Sequence, residues 1–121
     1  MDTREVAQDF AAMMAAGKME EVAQKYWAAN LNTYEAIAGG GLPEDMDETH
    51  GIEEAVAKAT WWGENNEVHS MATEGPFVHG DRFLLIMVID VTPKGGERMQ
   101  MREIVEYKVA DDKVVEERYF Y

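Results

Sequence analysis

From Arg82 the chain runs Phe83-Leu84-Leu85-Ile86-Met87-Val88-Ile89-Asp90-Val91, apolar at both alternations. Such a run reads as a strand covered on both faces. Thr92-Pro93-Lys94-Gly95-Gly96 then breaks it with turn-forming residues. Arg98 to Val109 follows as a strand with a mixed second face, and Val114 to Tyr121 as a third strand. Between these two, Ala110-Asp111-Asp112-Lys113 fits a two-residue hairpin, because aspartate tolerates the left-handed backbone such turns require. Any fold for this chain must therefore cover a long antiparallel sheet.

The preceding residues supply the cover. Asp2 to Ala16 is predicted as a helix, opened by a capping box of Asp2 and Glu5 and closed by Gly17. Val6, Phe10, Met13 and Met14 form its apolar stripe. Lys18 to Trp27 reads as a second helix with Met19, Val22, Ala23 and Tyr26 on one face. Asn30 to Ala38 alternates like a short strand and places Glu35 with Leu31 and Ile37. Gly39-Gly40-Gly41, the acidic Glu44 to Glu48 and the residues up to His50 are expected to form a mobile lid. Gly51 to Gly63 is a third helix, with Ile52, Ala55, Val56, Ala59 and Trp62 facing the core. Glu67 to Gly75 is a strand, continued through Pro76-Phe77-Val78 after a bulge, and His79-Gly80 turns it into Arg82. Helices gathered on one side of a meander describe an α+β fold. Its curled sheet would wrap three N-terminal helices and leave an interior pocket.

The totals narrow the function. A chain of 121 residues is expected to form a single domain. A net charge of −13 argues against nucleic acid and anionic membranes, where binding rests on lysine and arginine. No apolar run approaches the ~20 residues a membrane helix needs. There is no cysteine, hence no disulfide or thiol chemistry, and a cytoplasmic protein is the default expectation.

Several segments carry a family resemblance. They are Phe10 to Lys18, Gly51 to Ala55, Val68-His69-Ser70, Gly75 to Phe83, Asp90 to Lys94, Glu103 to Tyr107 and Tyr119-Phe120-Tyr121. Together these are similar to the SnoaL-like polyketide cyclase group of the nuclear transport factor 2-like superfamily. The resemblance implies a cone-shaped α+β fold with a pocket, a homodimer, and activity without metal or organic cofactor. It also implies a pocket carboxylate or histidine as general acid or base. Two positions depart from the isomerase-like members: Glu35-Ala36 stands where they have aspartate before proline, and Phe10 where they have tyrosine. Phe10 offers no hydroxyl to an enolate, which argues against a steroid-isomerase mechanism.

Register arithmetic adds candidate residues. With His79-Gly80 and Lys94-Gly95 as two-residue turns, His69 lies opposite Asp90, Ile86 opposite Glu103 and Val88 opposite Met101. Paired residues share a face, so His69, Met71, Val88, Asp90, Met101, Glu103 and Tyr107 are expected to lie together. His69 and Asp90 are either a catalytic dyad or a structural hydrogen bond. Glu103 is either a pocket acid with a raised pKa or the partner of an arginine, Arg82 or Arg118. Glu35 is a further candidate base. Tyr26, Trp62, Met101 and Tyr107 are candidate walls for a small apolar ligand. The scattered His50, His69 and His79 have no metal-ligand spacing. These features suggest a cofactor-independent isomerase, cyclase or dehydratase acting by proton transfer on a small carbonyl-bearing ligand. The alternative is a non-catalytic ligand-binding or dimerisation domain. The doubly apolar Arg82 to Val91 strand needs a cover beyond the helices, and a homodimer through the outer sheet face would supply it.

Overall fold

The computed structural model describes residues 1–36 and 42–121. Helix α1, Thr3–Ala15, starts as expected: the Glu5 N–H donates to Asp2 Oδ1 at 2.8 Å, and the Asp2 N–H to Glu5 Oε1 at 3.4 Å. Gly17, at φ +76°, ends it by letting the Lys18 N–H reach back to the Met13 carbonyl at 3.0 Å. Helix α2 is Met19–Tyr26, and strand β1, Trp27–Tyr34, follows without a loop. Both ends of β1 fall earlier than the alternation suggests, so Glu35 sits just beyond the strand. The glycines assigned to a lid, with Ile37, lie outside the described residues.

The acidic stretch after them is more ordered than expected. A single 3-10 turn at Glu44–Met46 leads into β2, Glu48–His50, which pairs antiparallel with β1. The buried hydroxyls of Thr33 and Thr49 hydrogen-bond across this pair. Helix α3, Ile52–Asn65, then delivers the chain to β3, Asn66–His79. Strands β4, Arg82–Pro93, β5, Met99–Ala110, and β6, Lys113–Phe120, complete a six-stranded sheet of order β2-β1-β6-β5-β4-β3. Strands β3 to β6 form the expected antiparallel meander. Strand β1 joins β6 in parallel, so the sheet is mixed, curled and unclosed. The β5–β6 hairpin turns on Asp111 and Asp112, both with positive φ, as their residue type predicts.

Strict alternation divides β4. Phe83, Leu85, Met87, Ile89 and Val91 are buried on the inner face, while Leu84, Ile86 and Val88 are half-buried on the outer. Phe10 of α1 is 1% exposed, and its ring centroid lies 5.5 Å from that of Phe83 and 4.7 Å from that of Tyr107. Phe10→Ala should therefore cost about 3–5 kcal/mol of stability. The denaturant midpoint reads this, and an unchanged midpoint would contradict the packing described. The expected core needs correction elsewhere. Val56 is 46% exposed, and Trp62 and Ile86 are only half-buried. The side of α3 that is covered runs through Ala55 and Lys58.

Candidate functional site

Two one-residue slips reassign the candidate residues. The β3–β4 turn is Gly80-Asp81, since His79 pairs with Arg82. A bulge between Glu74 and Phe77 then leaves Ser70, not His69, opposite Asp90, and a second between Val68 and Ser70 takes His69 out of the register. In the β4–β5 connection Gly95 adopts φ +76° and the Gly96 N–H bonds the Pro93 carbonyl. Glu103 consequently pairs with Met87, and Asp90 with Gln100. Neighbours across a sheet share a face, so Glu103 joins Met87 on the inner face while Asp90 lies on the outer. The proposed grouping of His69, Asp90 and Glu103 does not form.

Asp90 is held instead by a two-pronged ion pair with Arg98, at 3.0 and 2.8 Å. That hydrogen-bonded guanidinium, with a smaller contribution from His69, keeps its carboxyl below the ordinary value. His69 is exposed, and its Nε2 lies 2.8 Å from Thr92 Oγ1. Tyr26 is buried beneath α1 and donates its hydroxyl to Asp9. Tyr107 is stacked on Phe83, its hydroxyl 3.7 Å from Met87 Sδ. Met101 and Trp62 pack against the core from its margin.

The inner face nonetheless gathers a cluster of ionisable groups, drawn from four parts of the chain. Lys58, projecting inward from α3, donates to Thr33 Oγ1 at 2.9 Å and to Glu35 Oε1 at 3.3 Å. Its side chain and that of Glu35 are 9% and 8% exposed. The ammonium also sits 4.7 Å from the ring centroid of Tyr119 on β6. Glu117, two residues earlier and 3% exposed, accepts the Tyr119 hydroxyl at 2.8 Å. Glu103 reaches the same region from β5. Lys58, Glu117, Tyr119 and Thr33 escaped the sequence reading. One signal for Lys58 was available: it lies three residues after Ala55 and four before Trp62, on one helical face.

Burial dominates the electrostatics here. It pushes the Glu103 carboxyl up to about 7, aided by the charges of Glu35 and Glu117 and opposed by Lys58. Burial likewise raises Glu35 and Glu117, with Lys58 acting against it in both cases. Among the described residues Glu35 Oε2 is buried with no hydrogen-bond partner, while the Trp27 indole favours the charged form of Glu117. The cluster thus combines a carboxyl poised to hold a proton near neutrality with carboxylates stabilised by one ammonium. Among the described residues no group of three or more His, Cys, Asp or Glu side chains is arranged to hold a metal. Two surface clefts, of about 470 and 460 Å³, lie elsewhere. The first is between the end of α3 and the β4–β5 connection, and the second is beside His69 and the end of α1. Neither is lined by the cluster.

A curled, unclosed mixed sheet packed over three helices is the nuclear transport factor 2-like fold. The SnoaL-like domain profile matches residues 1–121, and the chain belongs to that family. It is 43% identical to a Mesorhizobium loti protein provisionally described both as a SnoaL-like polyketide cyclase and as a carbohydrate phosphatase. All of both chains is covered there, with a TM-score of 0.93. A Bacillus subtilis protein provisionally described as an isomerase is 17% identical, covering 98% of this chain and 88% of its own, with a TM-score of 0.75. A SnoaL-like protein from Jannaschia sp. CCS1, also provisionally described as a polyketide cyclase, is 16% identical, covering 96% and 85%, with a TM-score of 0.72. At such identities the last two show the fold alone. No curated protein matches the chain.

Proposed function

We propose that the protein is a cofactor-independent enzyme of the isomerase, cyclase or dehydratase type, working by proton transfer on a small carbonyl-bearing ligand at the inner-face cluster. The supporting observation is the pairing of unlike carboxyls in one buried place. Glu103, raised to about 7, can carry a proton near neutral pH, while Glu35 is held beside the Lys58 ammonium. In this reading Glu35 Oε2 takes the proton from the carbon next to the carbonyl. Glu103 gives its proton to the carbonyl oxygen, leaving a neutral enol. Where the enol is conjugated to a second double bond, Glu35 returns its proton to a different carbon as the enol hydroxyl gives its proton back to Glu103, and the isomerisation is complete. His69 and Asp90, on or near the outer face, take no part.

The test is hydrogen exchange. Small ketones and β-dicarbonyl compounds in D2O should exchange their α-hydrogens faster with the protein than without it, followed by proton NMR. No acceleration across the panel would remove the enzymatic reading. It would favour the second one, a non-catalytic domain, which draws support from the near-complete cover of Glu35, Lys58 and Glu117.

We also propose that the protein is a cytoplasmic homodimer joined through the outer sheet face. Phe77, Ile104 and Phe120 are exposed, beside the half-buried Leu84, Ile86 and Val88. Contiguous apolar surface on one side of a sheet is seldom left to water. Sedimentation at micromolar concentration should give a dimer, and Ile104→Glu, placing a charge in the patch, should give a monomer. A wild-type monomer would refute this arrangement.

A further inference from the structure

Helix α3 lies over the cluster, and it is seated more lightly than α1. Helix α1 buries Val6, Ala7, Phe10, Ala11 and Met14. Among the 14 residues of α3 only Ala55 and Lys58 are buried. Val56 is exposed, and Ile52, Trp61 and Trp62 are half-buried. Apolar burial, the main force that seats a helix on a sheet, is therefore small here. One charged side chain supplies the remaining hold: the Lys58 ammonium meets Thr33, Glu35 and the Tyr119 ring beneath the helix. The two ends are fastened by the backbone. The Gly51 N–H donates to the Leu31 carbonyl at 2.8 Å, and the Lys94 N–H donates to the Asn65 carbonyl, also at 2.8 Å. Gly51 has φ +89°, a region open to glycine at little cost, so the chain can bend where the helix begins. A helix pinned at both ends and tied in the middle by one side chain can turn about the line joining its ends once that tie is broken.

Building on the reading of this cluster as the reaction site, we propose that α3 is its lid and Lys58 the latch. The structure is the closed form, and a ligand reaches Glu35 when α3 turns away from β1. The turn carries the ammonium off Glu35 Oε1 and opens the covered side of the helix, Ala55 with Lys58, to water. Closure reverses it, shuts water out and restores the pairing of Glu35 with Lys58. Elements that open for ligand entry belong to the least stable part of a fold, where few apolar contacts are buried. Helix α3 meets that description; α1, packed through Phe10 on Phe83 and Tyr107, does not.

The chain has no cysteine, so a single introduced thiol reports this opening. Ala55→Cys places one on the covered side of α3, and Ala7→Cys places one on the covered side of α1; the two alanines are 1% and 0% exposed. In separate proteins under native conditions, iodoacetamide should alkylate the first at least ~100-fold faster than the second, because local opening costs far less than global unfolding. Low urea should hardly change the α3 rate and should speed the α1 rate steeply, since sensitivity to denaturant scales with the surface uncovered. Adding Thr33→Val, which removes one acceptor of the latch, should raise the α3 rate about 2- to 12-fold, the worth of one hydrogen bond. The wild-type chain gives a reading that needs no variant: acetylation of Lys58, followed by mass spectrometry, should be equally insensitive to low urea. The lid is overturned if the two thiols react at one rate, if Lys58 acetylation climbs with urea as global unfolding does, or if Thr33→Val leaves the α3 rate unchanged. None of these measurements uses a substrate. Exchange of ketone α-hydrogens with α3 shut throughout would sink the lid alone, and an opening α3 without such exchange would sink the catalytic reading alone.

Discussion

Glu103→Gln should lower the rate of proton transfer by about 10²- to 10⁴-fold, the range for loss of a positioned general acid or base. The amide keeps the size of the acid and cannot release a proton to the carbonyl oxygen. The same change should make the protein more stable at high pH. In the folded chain the carboxyl titrates at about 7, against an ordinary value of 4.5. Between those values the folded protein keeps a proton that the unfolded chain has released, so stability declines as pH rises through this window and levels off above it. Each unit of such a difference is worth about 1.4 kcal/mol, which makes the total a few kcal/mol. Denaturation at pH 5 and pH 8 should show the wild type losing stability at the higher pH. Glu103→Gln should lose less, with a residual decline from Glu35 and Glu117, whose carboxyls are raised in the same direction. A variant that keeps its activity, or one with the wild-type pH dependence, would place the functional acid elsewhere.

Lys58→Met should be the most destabilising single change in the site. It preserves much of the buried stem and removes the only ammonium among three carboxyls. Breaking a buried pair by deleting one partner typically costs 3–5 kcal/mol, because the remaining charge is left uncompensated. For a chain of this length that is a fall in Tm on the order of 10–20 °C. The loss should be greater at pH 8 than at pH 5, since Glu35, Glu103 and Glu117 can escape the penalty only by taking up protons. Thermal unfolding at both pH values tests this. Equal losses would mean that Lys58 contributes by packing on Tyr119 rather than by charge.

The helices and the meander were legible because their signals are local. Asp2 and Glu5 spell a capping box, Asp111-Asp112 a hairpin turn, and β4 declares itself by its apolar residues. The site was less legible because it depends on parity. One residue more or less in a turn moves every side chain to the opposite face. The Glu74–Phe77 bulge and the Pro93 to Gly96 connection each carry such a choice. The first set Ser70 rather than His69 opposite Asp90, and the second separated Asp90 from Glu103. Once they are on opposite faces, Glu35 is the base that the sequence leaves, and Glu35 lies in the cluster. Lys58 and Glu117 were hidden for another reason. Charged residues are almost never fully buried unless paired, and their pairing is made by strands far apart in sequence.

The parallel pairing of β1 with β6 brings residues 32–34 beside residues 116–118. Contacts of such long sequence separation are slow to form, because a large loop must close before any of them is rewarded. The helices and the β3–β6 meander can organise from nearer neighbours. Glu35 meets Glu117 only when β6 docks along β1, so the acid cluster belongs to the late stage of folding. Until then its carboxyls stay in water with ordinary affinities for protons. The raised proton affinity of Glu103 is therefore a property of the finished chain, acquired when β6 docks along β1.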